Sequence, residues 1–292
     1  MDCPATRQRL ADFLPRAAAL QKIEAAWVRT HHVALIVADA PWLAGEIAQE
    51  AEVPCVAATN FLWDWIYEPL LENHPHRANL LAPIQAGYRL FSHWLRYPFH
   101  HNSPWPSPVT DIPLVVGRPE RDPAELRQEL GVAGETRPLV YLALRGGLAP
   151  ATLLQATRQA RDFLFLSADP LPPEAPANLR PAQLNPGLRF IDLINASDLV
   201  VGKPGYGVAS ACVACQKPLL HPFRADFRED QVLMAGIGAH TAVREMPLDE
   251  FAAGQWADHL RALLRTPSPT APLALNGAEV GAEFLTRRLA EG

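Results

Sequence analysis

Short apolar runs without polar alternation, each followed by a turn and a stretch of helical spacing, recur along this chain. Residues 33–38 (VALIVA), 54–58 (PCVAA), 139–144 (LVYLAL), 163–167 (FLFLS), 199–201 (LVV) and 219–221 (LLH) are such runs. A strand that is apolar at every position has both faces covered, and strands separated by helices run parallel. The pattern therefore predicts an α/β fold with helices on both faces of parallel sheets. Ligands in such folds gather beyond the carboxyl ends of the strands. Asp39, Thr59 and Asn60 fall at such ends in the first half, and two glycine-rich turns do so in the second.

Spacings of three and four between apolar residues predict helices over 5–30, 42–51, 61–71 and 80–94, then over 123–130, 151–161, 229–235, 248–264 and 278–289, with another opening at the turn 202–207. Residues 169–186 read as a Pro-rich loop and 188–191 as a short strand. The segment HHNSPWPSPVTDIP has no apolar period and reads as a linker. The expected organisation is two Rossmann-like domains: an incomplete one over 1–105, a linker over 106–118, and a nearly whole one over 119–292. A length of 292 residues with 49% apolar content is enough to bury two cores of that size.

The charge balance excludes some function classes. With 26 Lys and Arg against 31 Asp and Glu the net charge is -5, which argues against binding nucleic acid or anionic membranes through the overall field. No segment reaches the roughly 18 apolar residues of a membrane span, and the first residues lack the basic start and apolar core of an export signal. Cysteines at 3, 55, 212 and 215 are too few and too unevenly spaced for a disulfide framework, so a reducing cytoplasm is expected.

Gly202-Lys203-Pro204-Gly205-Tyr206-Gly207 lies between an expected strand and an expected helix. Glycines there allow close backbone approach, and the N–H groups of a helix start hold anions, so a nucleotide phosphate is the natural ligand. The spacing is neither that of a Walker loop nor that of the dinucleotide fingerprint, and an ordinary βα turn is the competing reading. Gly146-Gly147 occupies the analogous place after the first expected strand of the second domain. Lysine is rare in this chain, at 22, 203 and 217, so Lys203 stands out. Cys212 and Cys215 form a CxxC without a second pair or a histidine at ligand spacing, and read as packing residues. His100-His101 reads as a solvated turn rather than a metal site. Phe61, Trp63, Trp65 and Tyr67 read mostly as core, with Trp63 a candidate for stacking on a sugar.

The stretch FIDLINASDLVVGKPGYGVASACVACQKPLLHPFRADFREDQVL resembles the donor half of GT-B glycosyltransferases with a family 28-like C-terminal domain, in particular the glycosyltransferase-like domain of L-arabinokinases and its bacterial relatives. Ser197, Asp198, Gly202, Lys203, Gly205, Tyr206, Gly207, Ser210, Pro218, Arg224, Phe227, Glu229 and Leu233 carry the resemblance, and residues 59–67 (TNFLWDWIY) are similar to a second motif of that group. The resemblance implies a GT-B fold with an acceptor-side N-terminal domain. It also implies transfer of a sugar from a nucleotide-diphosphate sugar, with uridine as the expected base, to an unidentified acceptor hydroxyl, without metal or cofactor. Donor-nucleotide binding would fall to Gly146, Gly147, Lys203, Gly205, Tyr206, Gly207, Ser210, Arg224 and Glu229, and the catalytic base to Asp39 or Asp64. Two departures qualify this. Ala211 stands where the group has a ribose-binding glutamate, and the group's opening strand with its Gly/His-rich loop has no counterpart. The expected consequences are an uncovered sheet edge open to a homo-oligomeric contact, weakened donor binding, and little or no turnover. A non-catalytic nucleotide-sugar-binding or interaction module and a fragment of a longer enzyme are the alternatives.

Overall fold

A computed structural model describes residues 3–106, 108–144, 148–182, 187–224 and 227–291. Its contacts divide the chain into a first unit of Met1–Leu114, Ala225–Val232 and Asn276–Gly292, and a second of Val115–Arg224 and Leu233–Leu275.

The first unit opens with the long helix α1 (Cys3–Thr30), then β1 (Ile36–Ala38), α2 (Leu43–Ala51), β2 (Cys55–Thr59), α3 (Trp63–Leu70), α4 (Arg77–Arg89), β3 (His93–Arg96) and β4 (Val109–Asp111). The strands form one parallel sheet in the order β1-β2-β3-β4, with β1 at an edge and Val37 half exposed. The helix expected over 80–94 stops at Arg89, and its last residues belong to β3. Trp94 and Leu95 are buried on opposite faces of that interior strand, so their adjacency imitated a continuing helical stripe. β4 lies inside the stretch that reads as a linker. It is a short, largely solvated edge strand, which leaves no apolar period to detect.

The second unit holds α5 (Pro123–Glu129), β5 (Leu139–Ala143), α6 (Pro150–Gln159), β6 (Leu164–Ser167), β7 (Leu179–Pro181), α7 (Phe190–Ala196), β8 (Leu199–Gly202), α8 (Tyr206–Ala214), β9 (Leu219–Pro222), α9 (Arg228–Ile237), β10 (Val243–Met246), α10 (Leu248–Ala252) and α11 (Ala257–Arg265), with α9 beginning among residues assigned to the first. The final helix, α12 (Gly277–Glu291), returns to the first unit. The second sheet is parallel with order β10-β9-β8-β5-β6-β7, so strand order reverses between β5 and β8. Residues 188–191, expected as a strand, lead instead into α7. Ile191 to Ala196 are all buried, and a short helix covered all round has no polar face to reveal its period. Its start is fixed by the Arg189 backbone N–H, which donates to Asp192 at 2.8 Å. β7 falls in the expected Pro-rich loop, where Pro181 is tolerated because the strand is at the edge. β10, the other edge strand, has no counterpart in the sequence reading. The helix expected over 248–264 is two, broken at Gly254 (φ +70°), where a Cβ would lie 2.8 Å from Thr152 O and Ala156 N.

Candidate functional site

The reversal of strand order in the second unit is where nucleotides bind in doubly wound sheets, because the helices on either side leave in opposite directions and open a crevice. There β5 and β8 end side by side, Ala143 opposite Gly202. Gly202 is a packing residue, since a Cβ would lie 3.0 Å from Val208 Cγ1. Gly205 and Gly207 differ: a Cβ on either meets nothing within 4 Å, and the Gly205 backbone (φ −169°, ψ 150°) is ordinary extended chain. Their missing side chains leave space above the turn. α8 starts there with no side-chain cap and no acidic residue in its first turn, which leaves its leading N–H groups and positive dipole end for an anion.

Two cations frame this turn. Lys203 is exposed, and Arg224, beyond the end of β9, donates from Nη2 to Pro204 O at 2.7 Å. Tyr206 Oη accepts from the Val115 backbone N–H at 3.4 Å, tying the turn to residue 115. Lys203, Gly205, Tyr206, Gly207 and Arg224 are thus brought together. Ser210 belongs to the same helix but is buried, its Oγ donating to Gly207 O at 3.3 Å. Ala211 is likewise buried. Glu229 groups with the first unit, where its carboxylate accepts from Asn60 Nδ2 at 3.0 Å. The expectation for Gly146 and Gly147 lies outside the described residues. Sequence reasoning missed a cavity of about 340 Å³ at the ends of β5 and β6, lined by Leu142, Leu144, Leu148, Leu153 and the Asp169–Pro172 segment. The only signal for it was a proline cluster.

In the first unit Asp39 is exposed at the end of β1, followed by Ala40 in the left-handed region (φ +66°). Tyr88 holds that bend: its hydroxyl donates to Ala40 O and accepts from the Trp63 N–H. Asp64 is buried, accepts from Trp105 Nε1 at 3.1 Å, and burial raises its pKa, with that hydrogen bond working the other way. His101 is not solvated as expected. It is 6% exposed and stacks on Trp65 at 4.5 Å, and burial pushes its pKa down to about 4. The aromatic residues 61, 63, 65 and 67 are half-buried rather than core, while Leu62 and Ile66 between them are buried. Trp63 and Tyr67, one helical turn apart, stack at 5.2 Å and line a cavity of about 460 Å³ with Phe13 and Trp42.

Cys55, Cys212 and Cys215 are free and buried, and burial raises all three thiols, Cys215 to about 12, so they are poor nucleophiles. Among the described residues no group of three or more His, Cys, Asp or Glu is placed to hold a metal, and no helix is long and apolar enough to cross a membrane.

This architecture is the GT-B glycosyltransferase fold. The glycosyltransferase of kitacinnamycin superposes with a TM-score of 0.61 at 16% identity, over 97% of this chain and 82% of the other. Glycosyltransferase VinC, solved in complex with dTDP, gives 0.59 at 19% identity, over 93% and 76%. In sequence, L-arabinokinase of Arabidopsis thaliana is a distant homologue, 29% identical over 276 residues. That match takes in 93% of this chain but only 26% of L-arabinokinase, so the chain spans about a quarter of that relative's length. No protein-family model matches the chain.

Proposed function

We propose that the protein is a metal-independent glycosyltransferase that takes a sugar from a nucleotide-diphosphate sugar, uridine being the first base to test. The observation that carries the reading is the turn at the strand-order reversal, where Gly205 and Gly207 face open space, the start of α8 is uncapped, and Arg224 is bonded to Pro204. A diphosphate seated there would meet backbone N–H groups and the charges of Lys203 and Arg224, which stabilise the leaving group as its bond to the sugar breaks. The apolar cavity beside it suits a nucleobase. Tyr206 and Ser210 shape the turn. An acceptor hydroxyl gives up its proton to a carboxylate as it attacks the sugar. Asp64 is the better candidate, being enclosed and lining a cavity, and Asp39 the second. Free thiols at 55, 212 and 215 support a reducing compartment. The dTDP complex of VinC and the homology to L-arabinokinase support the class of donor.

Calorimetric titration with UDP and dTDP tests the site. Lys203→Ala and Arg224→Ala should each weaken binding by about 1–3 kcal/mol, the range for charge-assisted hydrogen bonds. Gly205→Ala should leave stability unchanged or slightly higher, since the backbone is ordinary and the space free, yet weaken nucleotide binding by filling the place of close approach. Equal affinities across the variants would remove the site.

A second reading, a nucleotide-sugar-binding module without turnover, is favoured by Ala211, buried where the resembling enzymes have a carboxylate. Nucleotide binding without acceptor-dependent release of the diphosphate would select it.

A further inference from the structure

The cavity of about 460 Å³ lies wholly within the first unit, where α1 brings Arg9, Leu10 and Phe13 to it, the residue before α2 brings Trp42, and α3 brings Trp63 and Tyr67. Its size is that of pockets that hold small organic ligands. A buried tryptophan usually finds an acceptor for its indole N–H. The two most deeply buried tryptophans here do so: Trp94 donates to Thr59 O at 3.0 Å and Trp256 to Phe251 O at 3.0 Å. Trp42 is the exception. It is 6% exposed, its Nε1 has no acceptor among the described residues, and that nitrogen is not sealed as the unsatisfied ring nitrogens of His101 are. The surface the ring keeps is the part that lines the cavity, so a donor more than nine-tenths buried is offered to whatever enters.

The other groups around the cavity narrow the ligand. The Tyr67 hydroxyl also makes no hydrogen bond among the described residues. Arg9 is exposed with no described carboxylate against it, and no acidic side chain among the described residues lines the cavity. A cation without a counter-charge beside an unmatched N–H favours an anionic oxygen. A sugar is disfavoured. Stacking on one needs a bare aromatic face, but Trp63 is stacked on Tyr67 at 5.2 Å and packs at 88° to Phe61 at 5.1 Å, and most sugar hydroxyls would meet carbon. A flat ring instead fits among other rings through edge and offset contacts, as Phe13 does against Trp42 at 85°. We propose that this cavity binds an aromatic carboxylic acid of one or two rings. Its carboxylate accepts from Arg9 and from the Trp42 indole, and its ring system lies among Phe13, Trp42, Trp63 and Tyr67. The site goes beyond the glycosyltransferase reading and does not depend on it, since the donor turn belongs to the second unit.

The test titrates the full chain with 2-naphthoate, with 2-naphthol as its uncharged counterpart and D-glucose as the sugar alternative. Calorimetry gives the affinities, and the indole N–H signals of the seven tryptophans in isotope-labelled protein give the place. Trp42→Phe identifies the Trp42 signal by its disappearance. Naphthoate should bind and move that signal. Arg9→Gln, a change on exposed surface, should weaken naphthoate roughly tenfold, as loss of a charge-assisted hydrogen bond does, and leave naphthol binding and the melting temperature unchanged. Equal affinity for naphthoate and naphthol, with Arg9→Gln without effect, would overturn the proposal in favour of a plain apolar slot. Movement of the Trp42 signal by glucose and not by naphthoate would overturn it in favour of a sugar site. A Trp42 signal that none of the three compounds moves would remove the site altogether, with UDP binding and the transferase reading untouched.

Discussion

His101 shows how much one residue's surroundings decide. In sequence it is half of a His-His pair among prolines, the usual look of a solvated turn, and nothing local announces that Trp65 will cover its face. Burial, with Arg96, Arg228 and His100 nearby, holds its pKa at about 4 against an ordinary value of 6.5. The unfolded chain therefore binds a proton that the folded chain refuses between those values. His101's contribution to stability is complete above pH 6.5 and is lost as pH falls toward 4, a change on the order of 3 kcal/mol. His93 and His221, also buried with lowered values, act in the same direction, while the raised carboxylate of Asp64 acts in the opposite one. Denaturant melts between pH 7 and pH 4.5 should lose stability on acidification, and His101→Phe should flatten that slope. An identical slope in the variant would place the titration elsewhere.

Elements were legible where burial is one-sided or complete over several residues. α1, α2, β2, β5, β6, β8 and β9 follow the sequence reading closely because each presents helical spacing or an unbroken apolar run, although Leu20, Ile23 and Trp27 of the α1 spacing are exposed. The elements that escaped are edge strands such as β4, β7 and β10, whose partly solvated residues carry no period, and α7, whose period is hidden by burial on every side. Contacts between elements were not legible at all. α2 and α4 cross so closely that a Cβ on Gly45 would lie 2.2 Å from Gly87 O, and one on Gly87 would lie 2.6 Å from Trp42 O. Both glycines sit inside helices, where the residue is intrinsically costly, and the close approach explains why they are there. Gly45→Ala should therefore destabilise the protein by about 2 kcal/mol, the usual scale of overpacking, instead of stabilising it as an exposed helical Gly→Ala would. Chemical denaturation of the variant decides the sign.

At the scale of the whole chain, the donor turn was legible because glycine, lysine and a strand end coincide within a few residues. The first-unit cavity lined by Asp64, His101 and Trp105 was not, because these residues meet only through the chain's return after β3. The destination of the last helix was equally hidden. Its amphipathic spacing predicts a helix but not which core it covers, and α12 completes the first unit although the whole second unit intervenes in sequence. The attachment is specific. Gly277 N donates to Leu114 O at 3.1 Å at a place where a Cβ would be 2.1 Å from Pro113 O, Gly281 lies over Ile112 and Leu95, and the Phe284 ring packs 4.5 Å from His93. Ending the chain at residue 275 therefore strips cover from β3 and the residues after β4. Loss of one large apolar contact of this kind is on the order of 2 kcal/mol, and it falls on the first unit. Hydrogen exchange resolved by segment should show faster exchange over 55–59 and 93–96 in the shortened protein, with 139–143 and 199–202 protected as before. Equal loss of protection in both sheets would mean that the two units unfold as one cooperative body, and unchanged protection in the first would mean that α12 contributes little to the sheet it covers.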